Sequence, residues 1–341
     1  MSSASSVVAK TTKLLGLTAA AALAMTGFGA TANAGVVSGA LDCAPTGMFS
    51  VDGGYTAPDG KYVKDRPQDI PSALDMAVME ADLAERLAAL QFDPATVDIK
   101  DPIDINVYFH VIREDRSNEG GNIPRTMIRE QMKVLNHAFR GKGEADPGAR
   151  TPFKFTLGGP DGIEDGVERI TNDDWFNHSE QEDVELEMKS ATRVGTAADL
   201  NIWTTGVIGV GLLGYATFPS DYDANPMRDG VVMDPQSMPG GLTVPYDKGD
   251  TAVHEVGHWL GLYHTFENGC TPPGDYVEDT PYEAEPYFGE CMPGVDTCTA
   301  DPGNDPIENF MDYSDDICMD RFTKGQRERA LDQWFAYRDG N

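Results

Sequence analysis

"HEVGHWLGLYH", His254 to His264, places three of the chain's six histidines within eleven residues and sets a glutamate beside the first. With "DTAV" in front of it, the stretch reads as a helix for which Asp250 is a candidate N-cap. His254 and His258 are four apart, so on a helix their rings share one face, a turn from each other. Two imidazoles so placed can bind one zinc ion. Gly261 ends the helix, because glycine takes the left-handed turn at low cost. The chain then swings back and delivers His264 as a third ligand. Three protein ligands leave one coordination position open, the arrangement of a catalytic rather than a structural zinc. Glu255 lies next to the first ligand, where its carboxylate can reach a water at the open position without binding the metal. From the chain's own residue frequencies, the pattern arises by chance on the order of once in 10^5.

The bulk composition fits an exported globular protein. Hydrophobic content of 40% and charged content of 24% over 341 residues allow a sizeable core. A net charge of -30 repels nucleic acid and anionic lipid, which excludes both as partners. The acidity suits solubility outside the cell, and some carboxylates are available for a hard cation such as calcium. At the N-terminus, Lys10 and Lys13 precede the apolar run "LLGLTAAAALAMTGFGA", which leads to "ANA" at Ala32 to Ala34. This is the pattern of a secretory signal peptide over residues 1–34, cleaved near Ala34. The run is broken and short for a bilayer span, so no membrane insertion is expected. In an oxidising compartment the five cysteines become disulfide formers. Cys270, Cys291, Cys298 and Cys318 allow three pairings, and Cys43 stands alone upstream.

Residues 35–97 differ in character from the rest of the chain. "APTGMFSVDGGYTAPDGKYVKDRPQDIP" is rich in Gly, Pro and Asp, and one helix from Ser72 carries Leu83, Leu87 and Leu90 on one face. A loose exported segment with one amphipathic helix and a lone cysteine reads as a prosegment. The domain proper covers residues 98–341. "IDINVYFHVI", "FKFTL", "DLNIWTT", "LLGYATF" and "GVVMD" read as strands. Ile128, Met132, Leu135 and Phe139 form one helical stripe, and an acidic helix spans Glu182 to Arg193. His110 and His137 read as packed or surface histidines. Strands interleaved with helices indicate an α/β or α+β domain with a mixed sheet. From Glu267 to about Met319 the chain is loop, dense in Pro, Gly, Asp and Cys, and such a loop needs staples or ions. "TKGQRERALDQWFAYR" closes the chain as a helix, with Thr323 and Gln326 at capping-box spacing and Leu331, Trp334 and Phe335 facing inward.

The extended histidine motif resembles that of the metzincin metalloproteases, and "NFMDYSDDICMDRFTKGQ" is similar to the pappalysin branch of that family. The resemblance runs from about residue 100 to the C-terminus. It implies an α+β zincin catalytic domain with a mixed, mainly parallel twisted sheet, an active-site helix and a loop-rich C-terminal subdomain stapled by disulfides. It implies that Met311 forms the Met-turn, an apolar floor beneath the imidazoles, and that Tyr313 lies beside the metal. It implies the pairs Cys270–Cys298 and Cys291–Cys318. "GDYVEDTP" resembles a calcium-binding loop of relatives, with Asp275, Asp279 and Thr280 as oxygen ligands. A cysteine switch at Cys43, whose thiolate would fill the open zinc position, is implied in the same way.

These readings predict a secreted zinc-dependent endopeptidase acting on extracellular proteins or peptides and made as a latent precursor. Glu255 is the expected general base and Tyr313 the expected oxyanion partner. The substrate is expected along the strand Leu212 to Phe218. Asp315, just after the Met-turn, is the candidate for favouring Lys or Arg after the cut bond. The alternative is an exported zinc-containing binding or adhesion domain without catalysis. It predicts loss of Glu255 or a fourth protein ligand within the motif, and the sequence shows neither.

Overall fold

Strand β1, Ile103–Arg113, is the spine of the sheet, and its central residues are almost continuously buried. A run of this kind marks a strand covered on both faces, as parallel sheets are. The computed structural model describes residues 69–340 except Phe92, Ile99, 142–148, 159–163 and 179–180. The signal peptide 1–34 and Cys43 lie outside the described residues. Around β1 stand β2 (Phe153–Leu157), β3 (Val167–Thr171), β4 (Leu200–Thr204), β5 (Gly214–Ala216) and β6 (Val231–Met233). The order is β2-β1-β4-β6-β5, and β3 pairs with β1 beyond the end of β2. Every pairing is parallel except β5 with β6. The sheet is therefore mixed and mainly parallel.

Parallel neighbours need crossovers, and helices supply them. Helix α2, Arg125–Ala138, joins β1 to β2 and buries Ile128, Met132 and Leu135. The short helix α3, Asp173–Phe176, and α4, Glu182–Thr192, stand between β3 and β4. Alternating side chains feed two cores, as the period of a strand requires. Val107, Phe109, Val111, Ile202, Val231 and Met233 join one core, which also takes in α2. Ile112, Trp203 and Val232 point to the other, together with Met188 and Tyr313. His110 is buried in the sheet with Nε2 2.9 Å from Asn201 Oδ1, and His137 is exposed on α2.

Two elements differ from the sequence reading. Strand β3, "VERIT", is absent from that reading, because its half-buried residues carry no apolar run or alternation. Strand β5 is shorter than Leu212 to Phe218. Its ladder continues through Asp234 N–H to Leu213 O and Thr217 N–H to Gly230 O. At Pro219 the backbone then turns into a 3-10 turn.

Helix α5, Asp250–Trp259, lies wholly inside the domain. Between its end and α6, Lys324–Gln333, the described chain is loop, apart from an isolated bridge of Asn309 with Arg321. Cys270–Cys298 and Cys291–Cys318 are bonded, with Cα separations of 5.5 and 4.9 Å. They close loops of 28 and 27 residues, and each such closure contributes about 3.5 kcal/mol by restricting the unfolded chain. Helix α6 starts with the expected Thr323–Gln326 capping box. Leu331 and Trp334 are buried, and Phe335 is half-buried.

Helix α1, Ala73–Ala89, belongs to the stretch read as prosegment and packs beside the closing helix. Met76 and Leu83 are its buried residues. Met76 meets Phe218 and Tyr263, and Leu83 meets Ala336 and Tyr337. Polar contacts flank them. Glu80 accepts from both terminal nitrogens of Arg329 and from the Tyr263 hydroxyl. Asp82 accepts from Tyr337, and Arg86 donates to Asp223.

Candidate active site

The three histidines converge as their spacing requires. Helix α5 is preceded by Gly249 in the left-handed region (φ 99°), so the N-cap position belongs to Gly249 and not to Asp250. Asp250 is instead the first helical residue, where its charge suits the helix N-terminus. Gly261, at φ 85°, turns the chain back after the helix. A side chain there would also run into Gln333 of α6.

Each imidazole is oriented through its Nδ1. His254 Nδ1 donates to Phe310 O at 2.6 Å, and His258 Nδ1 to Leu262 O at 2.7 Å. His264 Nδ1 lies 2.8 Å from Glu267 Oε1. Carbonyl oxygens only accept, so the proton of His254 and of His258 sits on Nδ1 and the Nε2 lone pairs face inward. His258 Nε2 is 3.1 Å from both His254 Nε2 and His264 Nε2. Three nitrogens held at zinc–nitrogen distances of about 2.0–2.1 Å in tetrahedral directions would stand about 3.3 Å apart. The donor set fits zinc, and His254, His258 and His264 are the residues that would hold it. Among the described residues they form the one group of three or more potential ligand side chains close enough for a metal.

Glu255, which follows His254 on α5, is fully buried with its carboxylate against Gly214 of β5. Met311 is also fully buried, beneath α5, and a Cβ on Gly257 would stand 3.2 Å from its Cε and closer still to its sulfur. The turn carrying Met311 is tied to the ligand segment twice, by His254 to Phe310 O and by Thr265 N–H to Met311 O. Tyr313 is 1% exposed, and its ring centroid is 5.1 Å from that of His264 and 5.7 Å from that of His254. Phe266 stacks on His264 at 4.6 Å, and Phe218 lies 5.3 Å from His258. Asp315 is buried in the loop that follows, and the neighbouring Asp316 accepts from Lys248 N–H at 2.8 Å.

In the loop Gly274 to Pro281 the three expected oxygen ligands have different surroundings. Asp275 and Thr280 are buried. Asp279 is exposed, and both its carboxylate oxygens accept from Gly325 N–H, capping the start of α6. Asp279 is thus tied to the start of α6, while Asp275 and Thr280 are buried. Glu283, just beyond the loop, is fully buried, with Oε2 accepting from Thr265. Asp275 Oδ2, Thr280 Oγ1 and Glu283 Oε1 are buried oxygens without a well-formed hydrogen bond. Burial raises the Asp275 carboxyl to about 7. Burial and the charge of Asp312 raise Glu283 to about 10. Glu283 has no spacing signal in the sequence. Glu267 has one, since it stands three residues after a ligand histidine.

Comparison with known proteins agrees with this geometry. Residues 211–333 match the family Peptidase_M43, described as Pregnancy-associated plasma protein-A. An extracellular metalloprotease of Colletotrichum graminicola is 43% identical over 241 residues, 70% of this chain and 78% of that protein. Extracellular metalloprotease 1 of Coccidioides posadasii is 38% identical over 260 residues, 75% of this chain and 86% of its own. Mature mirolysin of Tannerella forsythia, solved with a cleaved peptide, superposes with a TM-score of 0.59 at 32% identity, covering 67% of this chain and 90% of that one. A promirolysin mutant superposes over 76% of this chain and 87% of its own, with a TM-score of 0.65 at 28% identity. The fold and the histidine site thus define a metzincin metalloprotease. The chain belongs to the pappalysin branch, Peptidase_M43, and is a metalloendopeptidase. The non-catalytic alternative is set aside on that finding, and the extracellular setting in the relatives' names agrees with export.

Proposed function

We propose that the protein is a zinc endopeptidase that cuts extracellular proteins within the chain, with Glu255 as its proton carrier. The observation that carries this reading is a buried carboxylate next in sequence to the first of three convergent imidazoles and packed against β5, the terminal strand of the sheet among the described residues. Bound zinc supplies Lewis acidity at the histidine cluster. The substrate adds itself as a further strand to β5 through backbone hydrogen bonds, which brings one peptide carbonyl over the histidines. Glu255 takes a proton from the attacking water and passes it to the departing amine. The Tyr313 phenol donates to the carbonyl oxygen as negative charge builds there. Met311 supports the imidazoles from below. Glu255→Ala should keep zinc bound, by metal analysis, while casein cleavage falls by at least about 100-fold. Substantial cleavage by that variant would remove Glu255 from the reaction.

Three finer readings belong to the same proposal. Asp315 selects Lys or Arg after the cut bond, supported by its buried carboxylate in the loop after Met311. Residues 35–97 form a prosegment that keeps the precursor latent through Cys43, supported by the ion-paired seat of α1 on the domain. A calcium-type cation is held by Asp275, Thr280 and Glu283, whose buried oxygens and raised carboxyls call for a positive charge.

A further inference from the structure

Gly214 opens the edge strand, paired with Met233 on β6. Nothing in its backbone demands a glycine, since its φ is not in the left-handed region. A glycine inside a strand also weakens it, so its presence calls for a close approach by another group. That group is Glu255. A Cβ at position 214 would stand 2.9 Å from Glu255 Oε1 and 3.0 Å from Glu255 Cγ. Carbon atoms normally meet at about 3.5–4.0 Å. The third of the nearest atoms is Val232 O, also at 3.0 Å, on the neighbouring strand.

We infer that Gly214 is a positioning residue: the space left by its missing side chain is the seat of the Glu255 carboxylate. The strand that would bind substrate thereby also holds the proton carrier from the side opposite α5. A methyl at 214 would force the carboxylate to swing or retreat along its own side chain. It would leave the three histidines alone, because their orientation comes from Phe310, Leu262 and Glu267. The catalytic part of this inference rests on Glu255 being the base, and the packing part does not.

The test is a double-mutant cycle read in two ways, by thermal unfolding of the full-length protein and by peptide hydrolysis after the prosegment has been cut. In thermal unfolding, Gly214→Ala should lower the Tm of the wild type by at least about 3 °C more than it lowers that of Glu255→Ala. With the carboxylate gone, two of the three nearest contacts of the new methyl are removed and Val232 O remains. In peptide hydrolysis, Gly214→Ala should retain its zinc and a KM within about twofold of wild type while kcat falls on the order of 100-fold. Glu255→Asp, with its shorter reach, should cost less kcat in the Gly214→Ala background than alone. Equal Tm losses in both backgrounds would overturn the inference, as would wild-type kcat in folded, zinc-loaded Gly214→Ala. Cleavage by Glu255→Ala itself would refute the base assignment, while the Tm cycle would still decide the packing.

Discussion

The buried carboxylates around Glu283 make a prediction in which pH and calcium act together. In the cation-free fold, Asp275 holds its proton up to about pH 7 and Glu283 up to about pH 10. In the unfolded chain both lose it near pH 4, the ordinary carboxylate range of about 3.9–4.3. Between those limits the folded state binds more protons than the unfolded one, so cation-free stability falls as pH rises. Each such group contributes about 1.4 kcal/mol per pH unit. A cation that needs both groups ionised must displace both protons below pH 7 and one above it. The stabilisation by calcium should therefore grow with pH, steeply from 5 to 7 and at about half that slope from 7 to 8. At about 2–4 °C per kcal/mol, the calcium-induced rise in Tm should increase by about 5–10 °C per pH unit in the steep range. The assay is thermal unfolding of Glu255→Ala, zinc-loaded and unable to digest itself, with calcium or with a calcium-selective chelator. Zinc is present in both arms, so its contribution cancels in the difference. A calcium increment that is absent, or equal at pH 5 and pH 8, would refute the reasoning.

Three further outcomes are expected from named contacts. Glu80→Ala strips a buried guanidinium, Arg329, of its carboxylate and should loosen α1 at a cost of about 2–4 kcal/mol, seen as faster hydrogen exchange in Ala73–Ala89 with little change in β1. Asp315→Ala should weaken any preference for Lys or Arg after the cut bond by about 10-fold or more, read by sequencing the new N-termini of a digested proteome; an unchanged profile removes Asp315 from specificity. Cys43→Ala should make the precursor active before processing, measured on a quenched peptide, and a precursor no more active than wild type excludes the switch.

Much of the molecule can be read from its residues because the signals are local. Helix α5 and its three ligands follow from spacing and a terminating glycine, α6 from a capping box, and β1 from a continuous apolar run. The features that escape such a reading depend on what comes close in space. β3 is polar and half-buried, and it is a strand only because the far half of β1 offers it an edge. Asp279 lies 46 positions from Gly325, and no spacing announces the bond its carboxylate accepts there. Glu283 and Gly214 gain their meaning from groups 18 and 41 positions away, Thr265 and Glu255, and no periodicity reports such pairs.

The carbonyl that orients His254 belongs to Phe310, in the loop stapled by Cys291 and Cys318. Metal retention is thereby made a check on the whole C-terminal half, since slack in that loop frees the imidazole before the sheet itself has to yield. A molecule stranded in a reducing environment would be disarmed by the same linkage, losing its grip on the ion while most of its architecture still stands.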